Sequence, residues 1–122
     1  MKGNITEASS RKLIDQERSS IHKGHLRISI LRILFEGDRK GLDIIRRLEE
    51  VTDGAWKPSP GSVYPVLQEL EEADLISGRI DGRSIMYSIT RDGKLAMSIL
   101  CTDIRRHRMF MDWLIEIGDS GC

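Results

Sequence analysis

The residues best placed to do chemistry lie in Pro58-Ser59-Pro60-Gly61-Ser62-Val63-Tyr64-Pro65-Val66-Leu67-Gln68. Pro, Ser and Gly open helices. Val63, Val66, Leu67 and Leu70 then recur at helical spacing as one apolar stripe. Ser59, Ser62, Tyr64 and Gln68 fall off that stripe, near the N-terminal end. A helix start has unpaired N–H groups and the positive end of the dipole, so hydroxyls there favour an anion such as a phosphate. Pro65 conflicts with a helix interior, because it has no N–H and crowds the carbonyl four residues back. A cap at Gly61 or Ser62 removes the conflict by leaving Pro65 in the first turn, where N–H groups lack partners in any case. An ordinary capped core helix would show the same stripe, so the rest of the chain must decide.

Other reactive side chains form no site. His22 and His25 share a helix face, but a metal needs more ligands and none is evident. Cys101 and His107 are six residues apart on a helix and point about 120° from each other. There is no Ser/His/Asp order, phosphate loop or paired acidic motif. The expectation is therefore no catalytic residue, no metal and no cofactor. Cys101 and Cys122 have neither CxxC nor metal-type spacing and read as reduced thiols of a cytoplasmic protein, with Cys122 open to oxidation in vitro. No apolar run approaches a membrane span, and the N-terminus lacks a signal-peptide core, so no membrane partner is expected.

The 122 residues suffice for one domain with a modest core. The formal net charge is +0, so nucleic-acid binding would need a local basic surface. Residues 59–74 carry Glu69, Glu71, Glu72 and Asp74 and no Lys or Arg. Residues 75–94 carry Arg79, Arg83, Arg91 and Lys94 against Asp81 and Asp92.

The elements that must position these residues follow from periodicity. Residues 1–20 read as a polar N-terminal arm, a short helix around Leu13 and Ile14 or partly disordered. Residues 21–36 are apolar over much of a helix surface, which predicts burial on more than one side, by the core and by a partner chain. Gly37-Asp38 ends this first helix, and Asp38 to Gly41 turn the chain. A second helix spans about residues 42–52, with Ile44, Ile45, Leu48 and Val51 inward and Arg46 and Arg47 on a solvated face. The Pro58–Leu70 stretch is the third helix. Asp81-Gly82 between two extended runs signals a hairpin, whose second run alternates Ile85, Tyr87 and Ile89 with Ser84, Met86 and Ser88. Thr90 caps a long fourth helix to about residue 117. Leu95, Ile99 and Leu100 are expected to face the core, and Phe110, Trp113, Leu114 and Ile117 form a second stripe that a domain this small would leave uncovered.

Three helices followed by a hairpin is the layout of a winged helix-turn-helix, which sets its third helix in the DNA major groove and its hairpin on the neighbouring backbone or minor groove. A basic hairpin tip, Arg79 and Arg83, beside a helix with a small polar start fits a DNA reader. The same hairpin could instead cap the core of a winged-helix protein–protein interaction module that binds no DNA. Salt-sensitive retention on heparin separates the two.

The chain resembles the PadR family of transcriptional regulators in Gly41-Leu42-Asp43-Ile44-Ile45-Arg46-Arg47-Leu48, in Trp56-Lys57 and the Pro58–Leu67 segment above, in Leu70-Glu71, Leu75-Ile76 and Gly82-Arg83, and in Tyr87-Ser88-Ile89-Thr90-Arg91-Asp92-Gly93-Lys94. Family members commonly have His and Tyr around the glycine matching Gly41, where this chain has Lys40 and Leu42, and often Gly at Asp74. The resemblance implies a mainly α fold with a small β-hairpin: a winged helix-turn-helix over residues 21–92 and a C-terminal dimerisation helix and tail over 93–122. It implies a homodimeric repressor of the small, single C-terminal helix subgroup, bound to double-stranded DNA at a palindromic operator. Carried over by position, DNA contacts fall on Lys57, Ser59, Gly61, Ser62, Tyr64 and Arg83, with Gln68 and Arg79 added from the helix face and hairpin. Dimerisation falls on Phe110, Trp113, Leu114 and Ile117. Some family members sense apolar or aromatic compounds, and flexible Met109 and Met111 beside Trp113 would suit such an effector where two subunits meet.

Overall fold

A computed structural model of the chain describes residues 8–118, and within them the side chains of all but residues 19 and 21–23. Cys122 and the first seven residues of the predicted arm lie outside the described residues, as does the His22 side chain. The order is α1 (Ala8–Lys23), α2 (Leu26–Glu36), β1 (Arg39–Lys40), α3 (Gly41–Val51), α4 (Pro60–Glu72), β2 (Ile76–Asp81), β3 (Ser84–Ile89) and α5 (Arg91–Ile115). The described part of the arm is thus helical, and a turn at Gly24-His25 separates it from α2, which begins five residues later than its apolar composition predicts.

Leu26, Ile30, Leu31, Ile33 and Leu34 are buried because α2 is the central helix, packed on α3, α4, α5 and β3. Ile44, Ile45 and Leu48 of α3 and Val63, Leu67 and Leu70 of α4 close the core from the other side. The predicted hairpin is part of a three-stranded antiparallel sheet, ordered β1-β3-β2. β1 is the two-residue stretch Arg39-Lys40 paired with Tyr87 and Met86. Two basic residues carry no alternation, and only the free edge of β3 makes them a strand. Asp81 pairs with Ser84, so the hairpin loop is Gly82-Arg83 rather than Asp81-Gly82. Gly82 takes φ 65° at its first central position, the position where a II′ turn requires glycine. In β3, Tyr87 is buried and Ile89 partly so, but Ile85 is exposed because it lies out toward the tip, beyond the core.

The start of α4 differs from expectation. Ser59 is the N-cap, its hydroxyl accepting from the Ser62 amide at 3.3 Å, and Pro60 occupies the first helical position. Pro60 has the fixed φ that a helix start needs and no N–H to leave unpaired, so the helix begins earlier than Gly61. Pro65 then falls in the second turn and removes the amide that would bond to the Gly61 carbonyl. Residues 61, 64 and 65 are exposed, so water can take that carbonyl's place.

Both helices of the helix-turn-helix pair end in Schellman motifs. In α4 the Leu75 amide reaches the Leu70 carbonyl and the Asp74 amide the Glu71 carbonyl, each at 3.0 Å. In α3 the Gly54 amide reaches the Glu49 carbonyl at 2.8 Å and the Asp53 amide the Glu50 carbonyl at 3.1 Å. Asp74 therefore sits at φ 60°, a conformation that glycine adopts without the steric cost of a Cβ. Asp74→Gly should raise stability by about 0.5–1 kcal/mol, read from urea midpoints at constant slope. An unchanged or lower midpoint would mean that the Asp74 side chain earns its place elsewhere.

The junction into α5 is tight. The Thr90 hydroxyl donates to the Asp74 carbonyl at 2.6 Å and accepts from the Gly93 amide at 3.0 Å. The core face of α5 is Gly93 and Met97, with Leu100 and Cys101 partly buried. Leu95 and Ile99 point outward, contrary to expectation, because Gly93 packs against the α4–β2 connection and fixes the rotation of the helix. The helix ends at Ile115, so Ile117 lies beyond it.

Arg47 is not merely solvated. Its guanidinium makes two 3.0 Å bonds to Glu36, which also meets Arg39 at 3.1 Å and Arg32 at 3.4 Å. The hydrogen bond from Arg47 holds the Glu36 carboxyl below its usual range, against the opposing effect of burial. This cluster joins α2, β1 and α3.

Candidate nucleic-acid interface

Ser59, Gly61, Ser62 and Tyr64 are exposed at the start of α4, and Gln68 is exposed past its middle. The Ser59 and Ser62 hydroxyls lie 3.2 Å apart, either able to donate. Lys57, just before the helix, is exposed and reaches Glu49 only at 3.9 Å, a weak surface pair. The acidic residues gather at the other end and have structural partners. Glu69 accepts from Arg27 of α2 at 2.8 Å, and Glu71 accepts from the Gly78 amide of β2 at 3.1 Å. Gln68 donates to Glu72 at 3.3 Å, which turns its amide toward that acidic end. The carboxylates of α4 thus anchor it to α2 and the wing, and its first two turns stay free of negative charge.

The two basic hairpin residues differ in position. Arg83 stands in the exposed wing loop. Arg79 points to the other face of the sheet, donating to Ser88 at 2.8 Å and to Asp38 at 3.1 Å. It ties β2 to β3 and to the turn before β1, and its charge is already met. Ile80, paired with Ile85 beside the tip, is 85% exposed, an apolar group on the wing that charge-based reading passed over.

Tyr64 is not a core aromatic; it is 41% exposed. Its hydroxyl lies 2.5 Å from where a Gly41 Cβ would stand, so only glycine at the start of α3 lets the ring lie there. Tyr64, Arg83, Ser84 and Ile85 then line a cleft of about 520 Å3 together with Lys40, Leu42, Asp43 and Arg46. Lys40 and Arg46 were not among the contacts expected from sequence; the signal available was their place on either side of the α3 start.

Toward the C-terminal end of α5 and just beyond it, Phe110, Trp113, Leu114 and Ile117 are all exposed, and the Phe110 and Trp113 rings stack at 5.9 Å. Met109 and Trp113 line none of the described cavities, whereas Met111 joins His25, Ile28, Trp56 and Ile104 in a groove between α5 and α2. Among the described residues no group of His, Cys, Asp and Glu could hold a metal, and no helix is long and apolar enough to cross a membrane.

Comparison with known proteins gives a consistent picture. Residues 30–99 match the family model described as the transcriptional regulator PadR-like family. The transcriptional regulator YqjI of Escherichia coli (strain K12) is 39% identical over 71 residues, covering 57% of this chain and 34% of that protein. The chain thus spans about a third of that relative's length. An uncharacterized protein of Lysinibacillus sphaericus is 31% identical over 104 residues, covering 81% of this chain and 95% of its own. In structure, a transcriptional regulator from Clostridium thermocellum superposes with a TM-score of 0.74 at 21% identity, covering 80% of this chain and 97% of its own, which speaks to the fold alone.

Proposed function

The chain belongs to the PadR-like family of transcriptional regulators, which are not enzymes, and from that premise we propose that it is a sequence-specific, double-stranded-DNA-binding repressor. The observation that carries this reading is the exposed, carboxylate-free start of α4, with Ser59, Gly61, Ser62, Tyr64 and the preceding Lys57, set beside a wing whose tip holds Arg83. The hydroxyls and helix-start amides suit phosphate oxygens, Gly61 permits close backbone approach, and Gln68 can reach base edges if it exchanges Glu72 for DNA. Arg79 is a lesser contact, since binding DNA would cost its bonds to Asp38 and Ser88. The winged-helix unit takes residues 21–92, and residues 93–122 serve dimerisation. The homodimer forms through the uncovered stripe of α5, acts in the cytoplasm, and lays two recognition helices on a palindromic site about 34–36 Å apart. A small apolar or aromatic effector would bind where the two α5 helices meet, against Met109 and Trp113, and release the DNA by changing that spacing.

Titration of the protein against a duplex from its own upstream region, and against a scrambled duplex, tests DNA binding. Affinity should fall steeply with salt, and Arg83→Ala should weaken both duplexes by the same factor while lowering the salt slope by about one. No retention on either duplex at low salt would instead favour a protein-binding winged helix.

A further inference from the structure

Charge interrupts the outward apolar face of α5. Leu95, Ile99, Phe110 and Trp113 are exposed on it, and between Ile99 and Phe110 come Thr102, Asp103 and Arg106, exposed as well. At 3.6 residues per turn Arg106 falls inside the arc that holds the four apolar residues, with Thr102 about 20° outside one edge and Asp103 about 20° outside the other. A cation inside such a stripe loses water on docking and needs a partner to meet it. Its own helix does not provide one. Asp43 and Arg46 of α3 have the same spacing in the same order and meet at 2.8 Å. Among the described residues neither Asp103 nor Arg106 has an ion-pair partner, so both charges stand free on this face.

We infer that Asp103 of each subunit pairs with Arg106 of the second copy, twice about the dimer axis, and that this pair holds the two α5 helices antiparallel in one register. The inference rests on the homodimer reading and says how that dimer selects its arrangement. Asp103 and Arg106 share their midpoint with Ile99 and Phe110, half a residue beyond position 104. Two helices crossing antiparallel there bring Asp103 level with Arg106 of the second copy, as they bring Ile99 level with its Phe110. A parallel pairing would set each Arg106 against its own copy, like charges on a closing face. Sliding the antiparallel helices by one turn sets Arg106 against Ile99 in one direction and against its own copy in the other. In the paired register the Arg106 stem covers the stripe while its guanidinium reaches Asp103 at the rim, and the Thr102 hydroxyl can accept a further N–H. The apolar residues supply affinity, and the charged pair selects the arrangement.

Asp103→Arg and Arg106→Asp should each raise the dimer dissociation constant by on the order of thirtyfold, because two like-charge contacts replace two attractive ones. Light scattering over a dilution series reads it. An equimolar mixture of the two variants should associate nearly as tightly as the wild type, since each supplies the charge that the other has lost. The doubly substituted chain, Asp103→Arg with Arg106→Asp, should recover the homodimer. A pair within one helix would also survive that double swap, but the mixture would then gain nothing. Single variants that dimerise like the wild type, or a mixture no tighter than its components, would overturn the cross-subunit pair and leave the dimer standing. A wild type that is monomeric at micromolar concentration would remove the pair together with the dimer. Circular dichroism of each variant separates lost contacts from lost fold.

Discussion

Gly93→Ala should destabilise the protein by about 3 kcal/mol and lower its melting temperature by on the order of 10 °C. Helix propensity alone predicts the opposite sign, because alanine is better than glycine in a helix by up to about 1 kcal/mol. Packing decides the outcome. A Cβ at Gly93 would overlap the Leu75 carbonyl oxygen and stand 2.6 Å from Ile89 Cγ1. That carbonyl cannot swing aside cheaply, since it accepts the Thr90 amide at 3.1 Å. Moving Gly93 instead would break the hydrogen bond its amide donates to the Thr90 hydroxyl, which itself donates to the Asp74 carbonyl. One methyl therefore disturbs the end of α4, the start of β2 and the first turn of α5 together. Thermal melts followed by circular dichroism check this, and a variant that melts at or above the wild-type temperature would show that the junction has slack.

That junction also shows what the sequence could and could not disclose. The Thr90 cap, the third-helix stripe and the hairpin were legible because each has a local cause: a hydroxyl before a helix, a 3.6-residue period, a glycine turn. The rotation of α5 was not. Leu95 and Ile99 are apolar and by composition belong inside, but Gly93 sets the helix rotation, and a glycine signals close approach only once its neighbour is known. β1 was invisible for a related reason. Arg39-Lys40 becomes a strand through the edge of β3, a partner more than forty positions away.

The candidate site divides in the same way. Ser59, Gly61, Ser62 and Tyr64 could be read from type and spacing, because a helix start imposes its chemistry on nearby residues. Arg79 and Arg83 look alike in sequence, yet Arg79 lies within β2, where it is spent on Asp38 and Ser88, and Arg83 stands in the loop beyond that strand. Arg46 and Arg47 are neighbours on one helix, but Arg47 closes the Glu36 cluster and Arg46 lines the cleft. Only tertiary placement distinguishes the members of either pair.

Trp113→Asp should turn the protein into a monomer at micromolar concentration and weaken operator binding by on the order of a hundredfold or more, since the second half-site is no longer tethered to the first. Trp113 is 65% exposed and stacks on exposed Phe110, a patch that a lone subunit rarely leaves in water. At 3.6 residues per turn, Leu95, Ile99, Phe110 and Trp113 fall within about 60° of one another around α5. They are spaced nearly symmetrically, with Leu95 and Trp113 centred on position 104 and Ile99 and Phe110 half a residue beyond it. Two α5 helices crossing antiparallel at that point would set Leu95 against Trp113 of the second copy and Ile99 against its Phe110. The outward rotation fixed by Gly93 would therefore complete a self-complementary face in the proposed dimer, and Leu95→Asp should dissociate it as Trp113→Asp does, with helical content unchanged in both. Light scattering reads the mass directly. A wild type that is monomeric at micromolar concentration would remove the dimer itself; a dimer that survives Leu95→Asp but not Trp113→Asp would keep the stripe at the end of α5 and discard the antiparallel crossing.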